Sequence, residues 1–77
     1  MSKISKQARA DALADVREAI ADVGRAADLR ALEYLVRAAD DLITDAWPAL
    51  IDDEDMTELR ADLAVTRRGR MNHLASK

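Results

Sequence analysis

His73 and Ser76 stand three residues apart and are the first candidates for nucleophilic chemistry. A hydroxyl nucleophile needs a base within hydrogen-bond reach and a third group that orients the base. His73 is the only histidine, there is no cysteine, and nothing in the sequence supplies the orienting group. The same counts remove the usual zinc sites, which draw several ligands from those two residue types. Asp52, Asp53, Glu54 and Asp55 form an unbroken run of carboxylates that could offer oxygen ligands to Ca²⁺ or Mg²⁺. The spacing of an EF-hand, with its turn glycine and distal Glu, is absent, and adjacent carboxylates ordinarily sit in water. Gly24 and Gly69 belong to no phosphate-binding loop. The sequence therefore predicts no catalytic residues, no metal and no cofactor: a protein that is not an enzyme.

What remains is charge. Residues 40–58 hold eight carboxylates and no Lys or Arg, interrupted by Trp47 and Pro48. Residues 1–24 are neutral, residues 25–39 carry one net positive charge, and residues 59–77 carry four. A net charge of −3 thus hides an acidic middle and a basic end. Asp55 and Glu58 have capping-box spacing, which gives them a structural use. Asp40, Asp41, Asp45, Asp52, Asp53 and Glu54 have none, and concentrated like charge destabilises a compact state. A steering surface for a basic partner gives such charge a use.

Two further groups could meet a partner. Tyr34 lies about 150° from the apolar stripe of its predicted helix, and Arg30 and Arg37 share its face. Tyr and Arg are enriched at binding hot spots. Covering the third helix or a neighbouring subunit is the competing use of Tyr34. Arg60, Arg67, Arg68 and Arg70 could neutralise phosphates. The overall acidity, the lack of a helix-turn-helix pair and the lack of interleaved aromatic residues weigh against that use. Direct nucleic-acid binding is not expected. Trp47 continues the apolar face of the second helix and is expected to close one end of the core.

Three helices must position these groups. The first is predicted from Ser5 to Val23, capped by Ser5 and ended by Gly24 in the left-handed conformation. Leu13, Val16, Ile20, Val23 and Ala27 form its stripe, and Asp11, Asp15, Glu18 and Asp22 its solvated face. The second is predicted from Ala26 or Ala27 to Ala46 or Trp47, where Pro48 stops it. Asp28 suits its first turn. Leu29, Leu32, Val36, Ala39, Ile43 and Ala46 form its stripe, widened by Leu35 and Leu42. A short helical turn from Pro48 to Ile51 leads into a third helix that begins near Asp55 and carries Met56, Leu59 and Leu63. Gly69 should end or weaken it.

The expected fold is all-α: one domain over residues 1–77, a helical hairpin plus a third helix, with a frayed arm at 1–5 and a mobile tail at 70–77. Few large apolar side chains and no Phe give a thin core, which favours a homodimer. No apolar run approaches a membrane span of about 18 residues, and the first residues do not form a secretory signal. A cytoplasmic protein without membrane partners is expected.

These features together predict a non-enzymatic helical module that binds another protein by charge complementarity. In size, acidity and lack of a catalytic constellation the chain resembles the small inhibitors that phages use against host defences, anti-CRISPR proteins among them. That resemblance is one of general character over the whole chain and rests on no motif. It implies an inhibitor that occupies a basic, nucleic-acid-binding surface. A small nucleic-acid-binding regulator using the Arg-rich third helix, and a structural assembly subunit, are the alternatives.

Overall fold

A computed structural model describes residues 5–76. Three helices make up the fold: α1 (Lys6–Val23), α2 (Leu29–Ala46) and α3 (Asp53–Ala75). Each packs against the other two, in an elongated bundle of 52 × 16 × 15 Å. No strand occurs among the described residues. Short links make consecutive helices antiparallel, as expected of a small bundle.

The helix boundaries follow from their caps. Ser5 Oγ accepts from Ala8 N at 3.4 Å, so the expected cap of α1 is present. Residues 1–4 of the expected frayed arm lie outside the described residues. Gly24 follows α1 with a φ of −66°, so its conformation is right-handed and not the left-handed one expected. The chain instead leaves α1 through bonds from Gly24 N to Ile20 O and from Arg25 N to Asp22 O. A Cβ at Gly24 would stand 3.3 Å from Ala21 O of α1 and in ordinary contact, at 3.4 Å, with Thr66 Cγ2 of α3.

Asp28 caps α2 from outside the helix, accepting from Ala31 N at 2.8 Å. That places the start of α2 later than the sequence suggests, because Ala26 is spent as a buried residue of the link. At the other end Trp47 is extended, and a cis peptide joins it to Pro48. Residues 47–51 form turns rather than the expected helical turn, with Leu50 N and Ile51 N both donating to Ala46 O.

α3 begins one capping frame earlier than predicted. Asp52 is the cap and Asp55 the reciprocating residue, in place of Asp55 and Glu58. Asp52, Asp53, Glu54 and Asp55 therefore sit at the positive end of a helix dipole, where carboxylates are favoured. The helix continues through Gly69 to Ala75. Met71 and Leu74 pack against the core beyond the glycine, and Arg70 Nε donates to Ala26 O at 2.7 Å. These contacts outweigh a helix-propensity deficit of about 1 kcal/mol. Residues 70–75, expected as a mobile tail, are the last turns of α3.

The core is built from Val16, Ile20 and Val23 of α1, Leu32, Ala39 and Ile43 of α2, and Leu59 and Leu63 of α3. Two stripe assignments shift. Ala26 and not Ala27 is buried, and Ala12 is buried with Leu13 only partly so. Leu29 and Leu42 remain exposed at the edges of α2. Trp47 does not close the core: it is 38% exposed, and its indole N–H donates to Asp53 Oδ1 at 2.6 Å. Ile51, just beyond it in the chain, is fully buried in the core.

Candidate interaction surface

Three helices leave three grooves, and the grooves differ in charge. At the end where α1 begins and α2 ends, these two helices leave a groove of about 320 Å³. Ala8, Ala12 and Ala46 line it with small side chains, while Leu42 and Leu50 stand 39% and 37% exposed at it. Asp11, Asp15 and Asp45 complete the lining, with no Lys or Arg. None of the three carboxylates joins an ion pair among the described residues, although Gln7 Nε2 donates to Asp11 Oδ1 at 2.8 Å.

The groove between α2 and α3 is mixed. Arg37, Arg60, Arg67 and Arg68 reach it, and so do Glu33, Asp40 and Asp41. Arg60 Nη2 lies 3.6 Å from Asp40 Oδ1 and 3.2 Å from Thr44 Oγ1. Asp40, Asp41, Arg60 and Arg67, singled out in the sequence as acidic docking or phosphate-binding candidates, thus line one groove, where only Arg60 and Asp40 pair. Arg68 lines it as well, whereas Arg70 turns away to the carbonyl of Ala26.

The third groove, between α1 and α3, contains Arg17, Asp55, Glu58 and Asp62 with Leu13 and Leu59. Asp55 is half of an ion pair that sequence reading missed. Arg9 Nε and Nη2 donate to its two carboxylate oxygens at 2.8 and 2.7 Å, a bidentate geometry. Only 11% of the Asp55 side chain is exposed. The Arg9 hydrogen bond holds the Asp55 carboxyl below its ordinary range, against the opposing effect of burial. The same bond raises the Arg9 guanidinium. Arg9 is 46 positions away in the chain, so no local pattern points to it.

The other candidates fall as follows. Asp52, Asp53 and Glu54 have exposed side chains at the start of α3, close to the end of α2 that bears Asp45. Asp52 caps and Asp53 accepts from Trp47, so two of the three have structural uses as well as charge. Tyr34 is 72% exposed and shares a shallow surface with Arg30, Glu33 and Arg37, so it does not cover α3. Asp11 and Asp15 were read as a solvated face. Their i,i+4 spacing beside Ala8 and Ala12 was visible, but Asp45 joins them only through tertiary packing.

His73 is exposed in the last turn of α3. Ser76 Oγ donates to the His73 backbone carbonyl at 3.0 Å, a helix-end bond rather than a nucleophile–base contact. No cluster of three or more side chains able to hold a metal ion occurs among the described residues. Among the described residues no helix is long and apolar enough to cross a membrane. Comparison with known protein families, with curated proteins and with solved structures finds no match to this chain.

Proposed function

We propose that the chain is a non-enzymatic interaction module that binds a basic surface of another protein, most concretely as an inhibitor occupying a nucleic-acid-binding site. One observation carries this reading: carboxylates without ion-pair partners collect at one end of the bundle, whereas Arg60 of α3 reaches Asp40 and Arg70 is taken up by the Ala26 carbonyl. Asp11, Asp15, Asp45, Asp52, Asp53 and Glu54 belong to the N-terminal half of α1, the end of α2 and the start of α3. Arg9, a cation of the same end, is taken up by Asp55. Lys6 opens α1 at this end, but carboxylates predominate there, and such a field draws a basic partner toward productive encounter. Apolar side chains exposed beside it, Leu42, Leu50 and Trp47, supply the desolvated contacts that hold a complex once formed.

A second reading has one observation in its favour: Arg37, Arg60, Arg67 and Arg68 share the α2/α3 groove. Phosphates entering there would also meet Glu33, Asp40 and Asp41. Titration with mixed-sequence duplex DNA at two salt concentrations separates the readings. No complex is expected at physiological salt. A submicromolar, salt-sensitive complex that disappears in the Arg67→Ala, Arg68→Ala variant would establish the nucleic-acid reading instead. Co-purification of the tagged chain from its native cell then supplies the protein partner. The partner is expected to elute with salt and to lose its nucleic acid on binding.

A further inference from the structure

The α1/α2 groove is more selective than a charged surface. Its lining repeats along both helices: Ala8, Asp11, Ala12 and Asp15 follow the 3–4 spacing of one face of α1, and Leu42, Asp45 and Ala46 follow it on α2. The small side chains of Ala8, Ala12 and Ala46 leave the trough open. The stretch from Ala8 to Asp15 rises about 10 Å, two helical turns. Nothing of the described chain fills this space.

Resting on the interaction reading above, we propose that this groove docks two turns of a basic amphipathic helix of another protein. Two apolar side chains at i and i+4 or i and i+3 of that helix enter between Leu42, Leu50 and the alanines. Lys or Arg residues flanking them meet Asp11, Asp15 and Asp45. Three observations fix the occupant. The lining is apolar, so water alone is a poor filler. The trough runs between two helices, a setting into which an amphipathic helix packs. The three carboxylates have no cationic partner in the described chain, so a neutral or acidic helix would leave them facing apolar surface while a basic one would pair with them.

A fluorescent 14-residue helical peptide with two Leu at i and i+4 and four flanking Lys and Arg is the probe. Its binding is followed by anisotropy, and its position by amide shift changes in the labelled chain. Saturable shifts are expected at residues 8–15 and 42–50. The same peptide with its Lys and Arg changed to Glu should not bind. Changing Asp11, Asp15 and Asp45 to Asn should weaken binding on the order of tenfold at low salt, with the loss shrinking at high salt. Leu42→Ser with Leu50→Ser should weaken it at both salt concentrations, and circular dichroism checks that these partly exposed changes leave the helices intact. Ala8→Met fills the trough without altering charge and should block binding if the groove itself is occupied.

Shifts confined to the start of α3, or binding indifferent to Ala8→Met and to the Leu pair, would overturn the groove and leave the charge-guided module standing. Absence of binding by the basic peptide at any site would overturn both. Self-association that depends on Leu42 and Leu50, seen by sedimentation, would assign the groove to a second copy and likewise overturn the proposal.

Discussion

The two grooves that flank α2 contrast in how their charges are arranged. On the α1 side three carboxylates border an apolar trough with no cation. On the α3 side four arginines and three carboxylates mingle, and Arg60 reaches Asp40. The basic groove is compensated from within, so it offers little field to a phosphate backbone. The acidic groove is not compensated, so its charge is available to a partner. A residue's charge therefore says little about binding until its neighbours across the bundle are known.

Both grooves share α2 as a wall, which sets the largest expected effect. Val36→Pro removes a backbone donor and clashes one turn back in α2, at a cost of about 3 kcal/mol or more. In a bundle this small the substitution should abolish helical circular dichroism at 25 °C. A folded Val36→Pro protein would mean that α2 is not the shared wall.

The next effect concerns the end of the bundle that bears the acidic groove. Arg9 and Asp55 tie α1 to the start of α3, so Asp55→Asn should lower the thermal midpoint clearly at neutral pH. The sign with pH follows from the depressed carboxyl. Its stabilisation is complete above the unfolded-state value of about 3.9 and is lost as pH falls through the lower folded-state value. The gap between wild type and Asp55→Asn should therefore stay constant from about pH 5 to pH 8 and close below about pH 4. A gap that persisted in acid would assign the effect to packing rather than to the ion pair.

Less was legible at that end than in the middle of the helices. The 3–4 spacing of Val16, Ile20 and Val23, of Leu32, Ala39 and Ile43, and of Leu59 and Leu63 placed the core, because burial of one helical face is a local pattern. The Ser5 cap of α1 was legible as a local signal, whereas Asp28, expected in the first turn of α2, is its cap. The start of α3 was misread by one frame because Asp52 and Asp55 match the capping spacing as well as Asp55 and Glu58 do. Trp47 was misassigned because the backbone turns extended at the end of α2 and leaves the helical stripe there, while Ile51 is buried in the core. The acidic groove was invisible in the sequence: Asp45 lies about thirty positions from Asp11 and Asp15, and only packing brings them together. The end of α3 was lost to a rule about glycine that Met71, Leu74 and Arg70 override.

The smallest expected effect tests that last point at the basic side. Nothing lies within 4 Å of a Cβ built at Gly69, and the residue is in the interior of α3. Gly69→Ala should stabilise the protein by about 0.5–1 kcal/mol, read as a raised thermal midpoint. It should leave binding at the acidic groove unchanged. A destabilised Gly69→Ala protein would mean that α3 does not run straight through this position.

Charge steering is the claim on which the functional reading depends, and association kinetics test it most directly. Asp52→Asn, Asp53→Asn and Glu54→Gln together remove three exposed charges at nearly constant shape. Asn caps a helix about as well as Asp, so α3 should keep its start. Mixed by stopped flow with the co-purified partner, the triple variant should associate on the order of tenfold more slowly than wild type at low ionic strength. The difference should fade at high ionic strength, as screening does what the substitutions did. An association rate equal to that of wild type at both ionic strengths would contradict the account and leave the acidic run of 52–54 as the solvated start of a helix.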